Sequence, residues 1–413
     1  MKRVVITGMG VISPVGNDTD TYWKNLTNGY CGIGPITRFD TKDFKATLAA
    51  QVKDFSPEAY GIEGRTARRM DAFTQYAVAA ARQAMDQSRL SGAVAPDRLG
   101  VYVGSGVGGI ETLTIEAEKL LTRGPGRVSP LFVPMMIANI AAGYIAMDYN
   151  AQGPSLPVVT ACATSTNAIG EAFRAIRYGY ADAIIAGGSE AAVTPLAIAG
   201  FINSQALSTS DDPACASLPF DKRRAGFVMG EGAAILILEE YEHAKQRGAG
   251  IFAEICGYGN TCDAYHVTAP RPDATCAARA IALSAQEAGI GDGDVIYINA
   301  HGTGTPMNDP AETAAIKIAL GEEQARRVLV SSTKSMTGHM LGAAGAAEAV
   351  AGVLSIMHKT VPPTINYREP DPECDLDYVP NQARAAEISL VLSISLGFGG
   401  HNGCIALRPA QGQ

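Results

Sequence analysis

Short β-branched apolar runs recur along the chain. They are VVIT (4–7), LGVYVG (99–104), LPVVTA (156–161), AIIAGG (183–188) and AAILILE (233–239), then FAEICGYG (252–259), VIYINA (295–300), VLVSST (328–333) and LVLSISLG (390–397). Such continuous apolar runs predict strands covered on both faces. Between them lie helical stretches such as DAFTQYAVAAARQAM (71–85), GEAFRAIRYG (170–179) and PAETAAIKIAL (310–320). Alternating strands and helices predict an α/β fold of βαβ units. The longest apolar run, MLGAAGAAEAVAGVLSIM (340–357), contains Glu348. It is short of the roughly 20 residues of a membrane span, so a core helix is expected.

The order of parts repeats. A predicted strand ends at Cys162, a small-residue helix follows, and then AIIAGG with its glycine turn. Later, VLVSST leads through a polar loop to His339, a second small-residue helix, and LVLSISLGFGG. This suggests two similar halves, 1–250 and 251–413, meeting near KQRGAG.

Composition narrows the function. With 413 residues, 47% apolar and 18% charged, the chain has room for two domains or one double core. A net charge of −8 and no basic stripe interleaved with aromatics argue against nucleic acid. An acidic partner would then need a local basic patch. Eight cysteines include no CxxC pair, and MKRVVITGMG runs straight into a predicted strand. Reduced thiols, no zinc site, no signal peptide, no membrane attachment and a cytoplasmic protein are the expectations.

Three stretches carry candidate chemistry. In VVTACATSTNAIG (158–170), Cys162 precedes a helix whose apolar face is Ile169, Ala172, Phe173 and Ile176, with Gly179 placed to end it. Thr164 or Ser165 is expected to cap that helix, and its dipole would favour a thiolate. The alternative is a buried cysteine acting as a small hydrophobe. In HGTGTPMNDPAET (301–313), His301 follows a strand's carboxyl end, where α/β proteins place their sites. Asp309, Pro310 and Glu312 read as cap, first-turn proline and N3 acid. Thr303 and Thr305 offer hydroxyls to a polar ligand arm. In SSTKSMTGHMLGAAGAAEAV (331–350), Glu348 should be buried and Lys334 is its expected partner. GSGVGG (104–109) satisfies the dinucleotide pattern GxGxxG. The acidic, polar stretch after it, with no second strand ending in an acid, favours a tight turn against an apolar channel over an oxidoreductase.

Together, RVVITGMGVISPVGN, SPLFVP, TACATS, RAGFVMGEGAAILILEE, DAYHVTAP, NAHGTGTP, SSTKSMTGHMLGAAGAAE, VPPTIN and SLGFGGHN cover nearly the whole chain. In this order they resemble the elongating β-ketoacyl-[acyl-carrier-protein] synthases of the thiolase superfamily, the synthase II branch above all. The resemblance implies a thiolase-like duplicated α/β fold, layered α-β-α-β-α with two mixed sheets. It implies a Cys-His-His triad on Cys162, His301 and His339, supported by Lys334 and Glu348, with Phe398 sharing an oxyanion hole. Phe398 and Phe201 match the gate of the acyl pocket, Val107 its chain-length position, and Thr303 and Thr305 the phosphopantetheine contacts. The implied activity is decarboxylative condensation of acyl- and malonyl-loaded acyl carrier protein in fatty acid elongation. A polyketide ketosynthase, a synthase I-type enzyme and a non-catalytic carrier-binding protein are the alternatives. No cofactor is implied for the chemistry, although members sometimes carry a monovalent or divalent ion beside the site. Gly304 stands where synthase II often has Ser, implying a looser loop. Gln205 stands where some relatives place a carrier-binding arginine, so Arg65, Arg68 and Arg69 become the candidate docking cluster. A homodimer joined along SLPVVT is expected.

Overall fold

Nine strands hydrogen-bond in one mixed sheet in a computed structural model that describes residues 1–410. In chain order they are β1 (Val4–Ile12), β2 (Leu99–Gly104), β3 (Ala183–Glu190), β4 (Gly232–Glu240), β5 (Ala253–Cys262), β6 (Ile296–Asn299), β7 (Leu329–Ser331), β8 (Leu390–Gly397) and β9 (His401–Arg408). Their spatial order is β2-β3-β4-β1-β5-β9-β8-β6-β7. Pairings repeat on the two sides: β1 is antiparallel to β4, β4 to β3, and β3 runs parallel to β2. Likewise β5 is antiparallel to β9, β9 to β8, and β8 runs parallel to β6. The two expected sheets are therefore joined rather than separate, because Val4–Ile6 of β1 also pairs with Ala253–Ile255 of β5.

The principal helices are α1 (Ala72–Ser88), α2 (Ile110–Arg123), α3 (Ile140–Tyr149), α4 (Thr164–Arg177), α5 (Pro195–Asn203), α6 (Thr275–Glu287), α7 (Asn308–Leu320) and α8 (Ala344–His358). Three apolar clusters give the layers. The central one gathers α4 and α8 with inward side chains of both sheet halves, including Ile184, Leu236, Val391 and Ile405. Ile185, Ile235 and Ile237 face outward onto α1 and α3, and Leu392, Ile394 and Ala406 face α6 and α7. Strands covered on both faces explain the unbroken apolar runs. The expected core helix is α8, buried from Ala344 to Ile356. A Cβ on Gly345 would lie 2.0 Å from Thr166 Oγ1, so the small residues let α8 close on α4.

One predicted strand does not form. Beside β2 only Ser155, one residue before segment 156–161, forms a bridge, to Val101. Val101 N–H donates to Pro154 and Leu156 N–H to Val101; then Pro157, lacking an N–H, ends the ladder. The chain continues extended, with Leu156 46% and Val159 54% exposed.

Candidate active site

Cys162 sits in a 3₁₀ turn, Ala161–Ala163, immediately before α4. The turn opens on Ala161 at φ +50°, a left-handed conformation uncommon for a residue with a Cβ. Neither expected cap forms. Thr164 Oγ1 accepts from Thr160 N–H and Ser165 Oγ from Ala346 N–H, so both hydroxyls serve neighbouring segments instead of the helix end. Gly179 does stop α4's extension, at φ +81°.

The thiol is not held as a thiolate. Burial pushes Cys162 up to about 11, and this outweighs the pull of the Lys334 cation and the Phe398 backbone N–H. Glu190 adds a further push upward. Desolvation of the anion thus exceeds what a helix start supplies at this position. At neutral pH the sulfur carries its proton.

His301 and His339 come from the second half and meet with ring centroids 5.3 Å apart and planes 85° apart. They are 3% and 1% exposed. Burial drives both imidazoles well below the usual histidine range, with the Lys334 cation adding to it. His339 Nδ1 accepts a 3.3 Å bond from Leu341 N–H, so in the neutral ring Nε2 carries the hydrogen. That Nε2, and Nδ1 of His301, have no hydrogen-bond partner among the described residues. The geometry thus sets the Nε2–H tautomer for His339, and no backbone donor sets one for His301.

A cavity of about 330 Å³ is lined by Cys162, His301, His339, Thr303, Thr305 and Phe398. Thr303 and Thr305 hydroxyls are 3.0 Å apart. Phe398 stands 6.2 Å from Phe201, which packs on Phe227, and Phe227 meets His339 edge-on at 5.0 Å. Gly397 admits this approach, since a Cβ there would lie 3.3 Å from Cys162 N and 2.7 Å from Thr160 O. Lys334 donates to Glu348, both almost fully buried. Burial raises Glu348 against that attraction.

Other expectations are corrected. Asp309 is no cap: α7 begins at Asn308, and Asp309 accepts from Phe220 N–H at 2.7 Å and Gly304 N–H at 3.2 Å. Glu312 likewise turns back to His301 and Gly302 N–H, both at 2.7 Å, and burial pushes it up to about 7. These two carboxylates clamp the 301–304 loop. Gly304, at φ +73° and bonded to Asp309, is a pinned residue rather than a slack one. Val107 does not line the cavity and is 42% exposed. Arg65, Arg68 and Arg69 are exposed and also lie outside it.

Sequence reasoning missed Glu190. It is fully buried at the end of β3 and accepts from Ser105 Oγ (2.8 Å), Gly106 N–H (2.9 Å), Val107 N–H (3.2 Å) and Gly342 N–H (3.0 Å). GSGVGG is therefore a cradle for a carboxylate, and not a turn against an apolar channel. The signal was one acid within AIIAGGSEAAV. Asn299 and Ser393 are also missed: Asn299 Oδ1 and Ser393 Oγ, like Glu348 Oε2, are buried without partners among the described residues. Asn299 and Ser393 are register partners, and Asn299 Nδ2 lies 3.5 Å from Glu348 O.

The family model of the β-ketoacyl synthase N-terminal domain matches residues 1–244, and that of the C-terminal domain residues 252–368. The chain is 53% identical over 412 residues to a 3-oxoacyl-[acyl-carrier-protein] synthase 2 of Synechocystis sp., covering 99% of each. A β-ketoacyl synthase structure from Burkholderia phymatum superposes with a TM-score of 0.92 at 36% identity, covering 100% of both chains. A type II polyketide ketosynthase, solved in complex with its acyl-carrier protein, superposes at 0.90 with 38% identity, covering 99% of this chain and 100% of that one. The thiolase-like α/β fold is thus shared across full length, and the chain belongs to the β-ketoacyl synthase family.

Proposed function

We propose that the protein is a β-ketoacyl-[acyl-carrier-protein] synthase II, an acyltransferase that extends acyl chains by decarboxylative condensation with malonyl-carrier. The observation that carries this reading is a thiol and two imidazoles, delivered by opposite halves, lining one buried cavity. Within it, residues 1–250 supply the nucleophile and 251–413 the histidines.

Cys162 attacks the acyl thioester. Its proton needs an acceptor, and His301 is the ring whose tautomer no backbone donor sets. The proton passes through His301 to the departing carrier thiolate, leaving acyl-Cys162. The N–H groups of Cys162 and Phe398 receive the developing oxyanion. Malonyl-carrier then loses CO2, and the enolate oxygen is stabilised by His339 Nε2–H, with His301 alongside. One such donor is worth about 3–4 kcal/mol of barrier. The enolate carbon attacks acyl-Cys162, expels the thiolate, and a proton from solvent restores the thiol.

Asn299, Glu348 and Ser393 offer hard oxygen donors that fit a monovalent or divalent cation. Asn299, Glu348 and Ser393 would hold it, and it would supply fixed positive charge there. Leu113, Leu120, Leu121, Val133, Leu156 and Val159 are exposed. Their size and number support a homodimer that buries some of them. The partner is an acyl carrier protein, with Arg65, Arg68 and Arg69 as docking cations. Incubation with malonyl-carrier and a series of acyl-carriers, followed by mass analysis, should give single two-carbon extensions. Repeated extension of one chain would favour a polyketide ketosynthase, and no extension would overturn the proposal.

A further inference from the structure

The same cavity continues outward from Thr303 and Thr305 to Thr268, Ala269, Pro270 and Arg271. Of the side chains lining it, Arg271 alone bears a permanent positive charge. The two imidazoles are held neutral, and both oxygens of Asp263 are occupied, by Asn402 Nδ2 at 2.7 Å and Arg271 N–H at 3.0 Å. Arg271 is held twice. Asp263 fixes its backbone, and Nε donates to both oxygens of Asp273 at 2.8 and 2.9 Å. Asp273 in turn accepts from Thr275 N–H and Oγ1 at the start of α6. Among the described residues nothing takes up the two terminal guanidinium nitrogens.

Exposure gives the direction of the cavity. Cys162 is 8% exposed and Thr303 5%, whereas the Arg271 side chain is 40% exposed. A thioester carried on a phosphopantetheine arm reaches the sulfur with its acyl end and leaves its phosphate ester at the mouth. On a chain of net charge −8, that anion needs a local cation, and other exposed lining residues such as Ser204, Gln205 and Met307 are uncharged. We propose that Arg271 binds the phosphate ester of the arm through its terminal nitrogens, making it a specificity residue for phosphorylated pantetheine thioesters. This rests on the ketosynthase reading.

The test compares acylation of Cys162 by acyl-carrier, free acyl-phosphopantetheine and acyl-pantetheine without phosphate, followed by intact mass. Arg271→Gln should lower kcat/KM about tenfold, mainly through KM, for the two phosphorylated donors, the worth of one charge-assisted contact. It should leave acyl-pantetheine within about twofold. Arg271→Lys should recover part of the loss, and Asp273→Asn should show a smaller loss in the same pattern. Equal loss on all three donors, no loss on acyl-phosphopantetheine, or loss confined to acyl-carrier would each overturn the assignment. The last would place the arginine against the carrier's acidic surface. Wild-type protein that none of the donors acylates would overturn the ketosynthase reading as well.

Discussion

Two turns in the molecule share a backbone and differ in what they carry. Ala161–Ala163 begins at φ +50°, forms a 3₁₀ turn and enters α4; Leu341–Ala343 begins at φ +47°, forms a 3₁₀ turn and enters α8. Their middle residues are Cys162 and Gly342. A Cβ at Gly342 would lie 2.4 Å from Gly106 N and 2.9 Å from Glu190 Oε2. There the backbone presses a donor onto a buried carboxylate, whereas at Cys162 a side chain looks into the cavity. The repeated turn has two uses: one presents the proposed nucleophile, and the other anchors Glu190. Glu190 also holds Gly106 and Val107, so it ties the second turn to the β2 end of the first half.

Changes at these turns should separate the two uses. The largest effect is expected for Cys162→Ala, which should abolish acylation and condensation while sparing malonyl decarboxylation. Elongation that survives in this variant would break the comparison. His339→Ala should slow decarboxylation by about 10²–10³-fold, as for a lost oxyanion donor, and leave acylation of Cys162 intact; loss of acylation would show that the ring serves the first step too. Gly342→Ala should cost about 1–3 kcal/mol of stability in a denaturant titration, because its Cβ meets backbone and a fixed carboxylate. Cys162→Ala should cost less, and the reverse order would deny Gly342 its packing role.

Titration sharpens the contrast further. With the thiol at about 11, only the thiolate reacts with iodoacetamide. The Cys162 alkylation rate should thus climb about tenfold per pH unit through neutral and mildly alkaline pH. Levelling near pH 8 would mean a stabilised thiolate after all. The raised value also means that the folded state holds this proton more tightly than the unfolded chain, whose thiol titrates near 9. This contribution to stability is complete below pH 9 and is lost as pH rises towards 11. The smallest effect is expected for Glu190→Gln. Removing its charge should lower the thiol's pKa and speed alkylation at pH 8, whereas slower alkylation would remove the electrostatic link between the turns.

Much of this was legible beforehand, for identifiable reasons. LVLSISLG was read with the bounds of β8, because a strand buried on both faces writes an unbroken apolar run. LPVVTA carries the same signature, but Pro157 sits where a ladder needs an N–H. Cys162, His301 and His339 are singled out by ordered motifs rather than by local pattern, since Cys162 and His301 are 139 positions apart and come to line one cavity only through the fold. The carboxylates of Asp309 and Glu312 looked like helix starters, because sequence spacing does not reveal that the 301–304 amides curl back over them. Glu190 was overlooked for a related reason: its partners are backbone groups from two distant loops. Val107 is matched to the acyl pocket by resemblance alone, and in the fold it stays outside the cavity and exposed.

The most direct measurement is peptide-mapped intact mass after incubation with an acyl-carrier. The account predicts one acyl increment on the peptide containing Cys162, absent from Cys162→Ala. An increment on any of the other seven cysteines, or none with an intact acyl donor present, would contradict it.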